Sequence, residues 1–230
     1  MPILSTDKLS KTYTMGETQV QALQDANIAF EAGEFCAITG PSGSGKSTLL
    51  HALGGLEYPT FGRVIYQGKD LFKLKDDQLS ILRRRRFGFI FQAYNLVQEL
   101  TGMENILLPI MLDNQVADQA YLDRVIDMLG IRDRLSHLPS AMSGGEQQRI
   151  AIARALANKP AILFADEPTG NLDGQSGREV LALLRYAGSE FNATLILVTH
   201  DLNIAEQAER IVSLKDGRIV HDTKGPVDER

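Results

Sequence analysis

Residues Gly40-Pro41-Ser42-Gly43-Ser44-Gly45-Lys46-Ser47 satisfy the pattern G-x-x-x-x-G-K-[ST], and each type has a chemical reason to stand there. Gly40, Gly43 and Gly45 let the main chain take positive φ and approach phosphate oxygens closely. The helix start that follows supplies unsatisfied N–H groups and a positive dipole end. Lys46 sets a mobile cation against the β and γ phosphates of a nucleoside triphosphate, the Ser47 hydroxyl is a ligand for Mg²⁺, and Thr48 supports the cradle. Pro41, Ser42 and Ser44 complete the loop. A glycine-rich turn with no function is the alternative, but it has no need of lysine, hydroxyl, preceding strand and following helix together.

A second group of acids ends an apolar run: Ile162-Leu163-Phe164-Ala165-Asp166-Glu167-Pro168. Beside a phosphate loop, Asp166 is placed to hold the Mg²⁺ shell and Glu167 to orient and deprotonate an attacking water. A solvated acidic turn would carry the same letters without the chemistry. The third motif is Ser143-Gly144-Gly145-Glu146-Gln147-Gln148-Arg149, running into the helix-period segment Ile150 to Leu156. Ser143 with Glu146 three residues on is a capping box, so an ordinary well-capped helix start is one reading. Two glycines at its mouth also leave N–H groups aimed outward, which suits an anion.

The elements that must hold these groups are short. Phe35 to Thr39, Ala161 to Ala165, Leu195 to Thr199 and Ile211 to Leu214 are continuous apolar runs, the pattern of buried parallel strands. Helix-period segments lie between them at Lys46 to Gly54, Glu146 to Ala157 and Ser176 to Ser189, giving an α/β core. The first thirty residues and Gly62 to Lys69 show short strands with turns, as at Glu31-Ala32-Gly33-Glu34, and predict a small antiparallel sheet. From about Thr101 to Met142 the pattern turns helical, an inserted helical subdomain within one domain spanning 1–230.

Composition narrows the partners. The 230 residues are 43% apolar and carry a formal net charge of -5. That is ample for a packed core and the wrong sign for a nucleic-acid backbone, so nucleic acid is not expected as a partner. The single cysteine, Cys36, sits in an apolar strand and reads as a buried structural thiol. The N-terminus has no basic or apolar leader pattern, and no stretch approaches the roughly 20 apolar residues of a spanning helix. A cytosolic chain, peripheral to any membrane, is the expectation.

With the three motifs in this order, the sequence resembles the ABC ATPases, and the match runs along almost the whole chain. Met142 stands where that family usually carries leucine, a volume-conserving swap. The resemblance implies a P-loop ABC ATPase core with an N-terminal antiparallel β subdomain and an inserted α-helical subdomain. It implies ATP and Mg²⁺ as cofactors and an active site completed by a second chain, most simply a homodimer. Ser143, Gly144, Gly145 and Gln147 would then face the γ phosphate held by the opposite subunit. Tyr13 matches the aromatic that stacks on adenine. Gln92 matches the glutamine that reaches Mg²⁺ and the attacking water while its loop touches the membrane partner. Asn171-Leu172-Asp173 matches the loop joining the two sites, and His200 the histidine at the γ phosphate. Glu167, His200 and Gln92 form the implied catalytic set; Ser47, Gln92 and Asp166 form the implied metal set.

Within the family, Leu49 to Leu56, Phe87 to Gln92, Glu104 to Pro109 and Phe164 to Asp173 look most like the branch that serves lipoprotein release, macrolide export and antimicrobial-peptide resistance. That branch implies an FtsX-like permease partner at the cytoplasmic face of the inner membrane. A non-transporting ATPase of the cell-division type shares this chemistry and is the alternative. A DNA-associated ABC ATPase is disfavoured by the absence of long insertions, metal-spaced cysteines and basic charge. The run Arg83-Arg84-Arg85-Arg86 reads as a solvated helix end, with contact to a permease or anionic lipid as the other possibility.

Overall fold

The computed structural model describes residues 1–16 and 18–224; the last six positions of the expected 1–230 domain lie outside the described residues. The chain divides into two units, Met1–Arg83 with Thr194–Arg230, and Arg84–Ala193. The first opens with antiparallel pairing. β1 (Leu4–Met15) and β2 (Thr18–Ala26) form a hairpin in which Tyr13 lies opposite Val20, and β1 also meets β3 (Ala29–Phe30). Leu4, Leu9, Leu23, Ala26 and Phe30 point inward while Thr18 to Gln21 are exposed, as a half-buried sheet requires.

β4 (Phe35–Thr39) behaves differently, since all five of its residues are buried. Burial on both faces needs side chains that are apolar without alternation, which this run supplies. α1 (Lys46–Leu53) leaves the following loop and buries Leu49, Leu50, Ala52 and Leu53. β5 (Phe61–Tyr66) returns to pair with β1 at Leu4↔Tyr66, and β6 (Lys69–Asp70) adds to it, giving the order β2-β1-β5-β6 with β3 also on β1. This is the antiparallel sheet expected at the N-terminal side. α2 (Asp76–Arg86) follows, with Leu79 inward.

The unit Arg84–Ala193 contains β7 (Phe87–Phe91), α3 (Gly102–Leu112), α4 (Gln119–Leu129), α5 (Gly144–Leu156), β8 (Ile162–Asp166) and α6 (Gly174–Glu190). β7 and β8 pair in parallel from Phe87↔Ile162 to Phe91↔Asp166, so their C-terminal ends emerge side by side. Phe87 and Phe89 pack on Phe164 with ring centroids 5.3 and 5.4 Å apart. α5 lies close on β7, because Gly88 has no side chain: a Cβ there would stand 2.5 Å from the Ala155 carbonyl oxygen. Between Thr101 and Met142 lie α3, α4 and two short 3₁₀ turns, with no strand.

The chain then completes the first unit with β9 (Thr194–Val198), α7 (Leu202–Ala205), β10 (Arg210–Lys215) and β11 (Arg218–Asp222). β4 is flanked in parallel by β9 and β10, and β11 is antiparallel on β10. Arg210 fastens this edge: it donates to Asp222 at 2.8 and 2.5 Å and to the Ala29 carbonyl at 2.6 Å. Cys36 is fully buried nearby, and burial pushes its thiol up to about 12. Both observations agree with a structural cysteine.

Arg85 and Arg86 are exposed, as a solvated helix end predicts, but Arg83, Arg84 and Arg85 also bond elsewhere in the chain. Arg83 donates to the Gly55 carbonyl at 2.5 Å and to Ser80 at 3.1 Å. Arg84 reaches the Leu112 carbonyl and Arg85 pairs with Asp113 at 2.7 Å, both at the C-terminus of α3, where cations complement the helix dipole. Arg83, Arg84 and Arg85 thus each reach an acceptor 28 residues away.

Candidate active site

In the first unit, the loop after β4 is shaped by its glycines. Gly40, Gly43 and Gly45 have φ of +147°, +76° and +100°. Gly43 needs only this conformation, because a Cβ there would meet nothing within 4 Å. Gly40 and Gly45 need space as well, since a Cβ would collide with the Leu214 carbonyl oxygen at the first and the Ala22 carbonyl oxygen at the second. The loop is therefore seated between β10 and β2. It is tied there by main-chain bonds, with Gly217 N–H donating to the Ser44 carbonyl at 3.0 Å and Gln24 N–H to the Gly217 carbonyl at 2.8 Å.

Gly45 is the N-cap of α1, and the first turn of that helix carries no acidic side chain to neutralise its positive end. Lys46 is only 6% exposed, and its ammonium donates to the Gly40 and Pro41 carbonyls at 2.9 Å each. These bonds curl the loop around its own lysine and leave one of three ammonium donors unused in the described bonds. Pro41, Ser42, Gly43 and Ser47 are exposed, Thr48 is half-buried, and Ser44 is buried.

Two further candidates share this unit. Tyr13 is half-buried, and the Lys11 ammonium lies 5.0 Å from its ring centroid, so a cation covers one ring face. Lys11 is itself held by the Tyr58 carbonyl at 2.7 Å and by Glu57. His200 is exposed just beyond β9. Its neighbours fix it: Thr199 N–H donates to the Ile38 carbonyl at 3.1 Å, while the Asp201 N–H donates to the Thr199 hydroxyl at 3.0 Å and Asp201 caps α7.

The remaining candidates sit in the Arg84–Ala193 unit. Asp166 is the last residue of β8, and Glu167 turns out of the strand with φ of +45°, a left-handed conformation unusual for a side-chain-bearing residue. The turn is secured by Gly170 N–H on the Glu167 carbonyl at 3.0 Å. It is also secured by Gln148 of α5, which is fully buried and donates to the Pro168 carbonyl at 2.6 Å. Gln92, one residue beyond β7, donates from Nε2 to Asn171 Oδ1 at 3.1 Å, and Asn171 Nδ2 returns a bond to the Gln92 carbonyl at 2.9 Å.

The capping box expected at Ser143 is present. Glu146 N–H donates to Ser143 Oγ, and Glu146 Oε2 accepts from the Ser143 N–H at 2.8 Å. Arg134 donates to the other carboxylate oxygen at 2.6 Å, and this bond with those from Ser143 holds the Glu146 carboxyl well down, at about 2. Gly144 and Gly145 are half-buried at the helix mouth. A Cβ on Gly144 would stand 2.7 Å from Tyr94 Oη, so the mouth packs against the segment that follows Gln92. Gln147 turns back to the Met142 carbonyl at 3.2 Å.

The unit thus gathers Gln92, Asp166, Glu167 and the Ser143 helix around the ends of β7 and β8, while the other unit gathers the phosphate loop and His200 around the ends of β4 and β9. Gln148 and Arg154 were not singled out from sequence. Arg154 Nη1 and Nη2 donate to the Asn95 and Tyr94 carbonyls at 2.6 and 2.8 Å, and burial lowers its pKa. Both are polar residues set among the buried apolar positions of α5, a pattern visible in the letters.

A family model described as ABC transporter matches residues 23–170. An uncharacterised ABC transporter ATP-binding protein of Methanocaldococcus jannaschii is 47% identical over 214 residues, covering 91% of this chain and 94% of the relative. The chain belongs to the ABC transporter ATP-binding family. The lipoprotein-releasing system ATP-binding protein LolD of Idiomarina loihiensis is 42% identical to this cassette over 97% of the chain and 98% of the relative. The macrolide export ATP-binding/permease protein MacB of Bartonella henselae is 44% identical over 98% of the cassette, which spans 34% of that longer protein. Among solved structures, the ATP-binding cassette MJ0796, dimeric and bound to ADP and Pi after hydrolysis, superposes with a TM-score of 0.86 at 40% identity, over 95% of this cassette and 97% of that chain. The protein is an ATP-binding and ATP-hydrolysing cassette with the α/β fold of its family. Among the described residues, no helix is long and apolar enough to cross a membrane.

Proposed function

We propose that this cassette spans 1–230 as one nucleotide-binding domain and acts as a homodimer that drives an FtsX-like permease from the cytoplasmic face of the inner membrane. The observation that carries the reading is the Ser143 helix. Its capping box consumes the Ser143 and Glu146 side chains locally, yet leaves two glycines and a helix N-terminus at the mouth, where the first-turn N–H groups suit a phosphate from another chain. The phosphate loop supplies the complementary half, and each chain owns one of each. The kinship to LolD and to the ATP-binding/permease protein MacB supports a permease as the partner that closure moves.

In this reading, Tyr13 stacks on adenine with its other face backed by Lys11. Residues Gly40 to Thr48 hold the triphosphate, Glu167 takes the proton of the attacking water, and Gln92 and His200 keep that water and the γ phosphate in line. The implied metal fits the donors available: the Ser47 hydroxyl, the Asp166 carboxylate and the Gln92 amide oxygen are all hard oxygen ligands of the kind Mg²⁺ prefers. When bound, Mg²⁺ supplies charge neutralisation at the β and γ phosphates.

The mass in solution of Glu167→Gln, with and without MgATP, tests the shared site. An ATP-dependent dimer that Ser143→Arg abolishes is the expected result. A monomer that binds MgATP at every concentration tried would overturn pairing of the isolated cassette.

A further inference from the structure

The Gln92–Asn171 contact contains more than a structural tie. The Gln92 main-chain oxygen only accepts, so the Asn171 atom that meets it at 2.9 Å is the NH₂ end. The other end of Asn171 is then its oxygen, and the Gln92 atom facing that oxygen at 3.1 Å is in turn an NH₂. One unambiguous acceptor therefore fixes the direction of both amides, and it leaves Gln92 Oε1 as the atom turned away from Asn171. Gly170 makes room for this arrangement. Its φ is not positive, so glycine is not required there by conformation; a Cβ, however, would lie 2.7 Å from Gln92 Nε2 and 2.9 Å from its Cδ. Gly170 opens the socket and Asn171 orients what enters it.

We propose that Asn171 is a positioning residue for Gln92, holding the Gln92 side-chain amide so that its oxygen, and not its NH₂, faces the cation and water that Gln92 serves. The assignment rests on the role given to Gln92 under Proposed function. It differs from the role the family resemblance implies for the Asn171-Leu172-Asp173 loop, because it acts within one chain and not across the dimer. The parallel register explains why the two residues meet: Phe91↔Asp166 brings the ends of β7 and β8 level, so the first residue past one strand lies beside the loop past the other.

The first readout needs no nucleotide: the side-chain NH₂ resonance of Gln92 in the full chain, identified by its loss in Gln92→Ala. In Asn171→Ala that resonance should move to the position of a free amide and lose its protection from exchange. Hydrolysis should fall about 10-fold, and the Mg²⁺ concentration for half-maximal rate should rise about 5-fold, with ATP affinity in the absence of Mg²⁺ changed less than about 2-fold. Asn171→Asp keeps an acceptor for Nε2 but loses the donor to the main chain, so it should restore only part of the rate. Gly170→Ala, which keeps both polar partners but fills the socket, should act like Asn171→Ala.

Combining Asn171→Ala with Gln92→Ala decides the matter. If Asn171 works through Gln92, the double variant is no slower than Gln92→Ala alone. Effects that multiply, or an unmoved Gln92 resonance in Asn171→Ala, would overturn the positioning role while leaving Gln92 in place. A Gln92→Ala variant with full rate and unchanged Mg²⁺ dependence would instead remove Gln92 from the site, and this proposal with it.

Discussion

In the phosphate loop the shaping atoms belong to the main chain: three glycines with positive φ, carbonyls of Leu214 and Ala22 that forbid a side chain, and a lysine folded onto the carbonyls of Gly40 and Pro41. After β7 and β8 the shaping atoms belong to side chains that arrive from far along the chain. Gln148 holds the Pro168 carbonyl, Arg154 holds the carbonyls of Tyr94 and Asn95, and Asn171 holds Gln92. Tyr94, Asn95 and Glu167 all have positive φ, with values of +59°, +51° and +45°. Where glycine supplies the conformation, strain is small; where a residue with a side chain occupies it, on the order of 1–3 kcal/mol per residue is offset by such bonds. The phosphate loop is shaped by main-chain atoms, and the loops after β7 and β8 are braced by side chains.

The largest effect expected from breaking this contrast is on chemistry. Glu167→Gln keeps the shape of its turn and removes the proposed base, so phosphate release should fall about 10²–10⁴-fold while ATP binding persists. Full turnover in that variant would show that the bracing around Glu167 serves something else. Next come the glycines. Gly40→Ala should cost about 2–4 kcal/mol of unfolding free energy, through strain and collision with Leu214, whereas Gly43→Ala should cost only about 1 kcal/mol. Urea titration of the pair separates space from conformation, and equal costs would refute the distinction.

A smaller loss is expected at the braces. Arg154→Ala leaves two carbonyls without their donor and should cost about 1–3 kcal/mol in the same titration, with Arg154→Lys intermediate. The smallest effect concerns pH. The Glu146 carboxyl is held at about 2 against an ordinary 4.5, first by Arg134 and then by Ser143. A depressed carboxylate stabilises fully above its unfolded value and loses that contribution as pH falls from about 4.5 towards 2. The melting-temperature advantage of the wild type over Glu146→Gln should therefore be constant near neutrality and shrink below about pH 4.5. An advantage that grew on acidification would contradict the cap geometry.

The same contrast governs what could be read from the letters. The phosphate loop, the capping box at Ser143 and the buried strand β4 are legible because the residues that mark each lie within a few positions of one another. Cys36 was placed correctly for the same reason. The bonds of Arg84 and Arg85 are not legible, because their acceptors, Leu112 and Asp113, lie some way along the chain and carry no local mark. Gln148 and Arg154 gave a partial signal, as polar letters among buried ones on α5. Their acceptors are main-chain carbonyls, which every residue possesses, so sequence identifies neither partner. Asn171 was read within its loop, but its bond to Gln92 depends on the strand register, which no local pattern states.

The burial of Cys36 makes this chain a convenient host for spectroscopic labels. Its one thiol is inaccessible and stays protonated at any ordinary working pH. Maleimide or spin-label reagents should leave the native protein untouched, and a cysteine introduced at an exposed site should react alone, with no background cysteine to remove first. The proposed pairing of two cassettes can therefore be tested by distance measurements on the otherwise unaltered sequence.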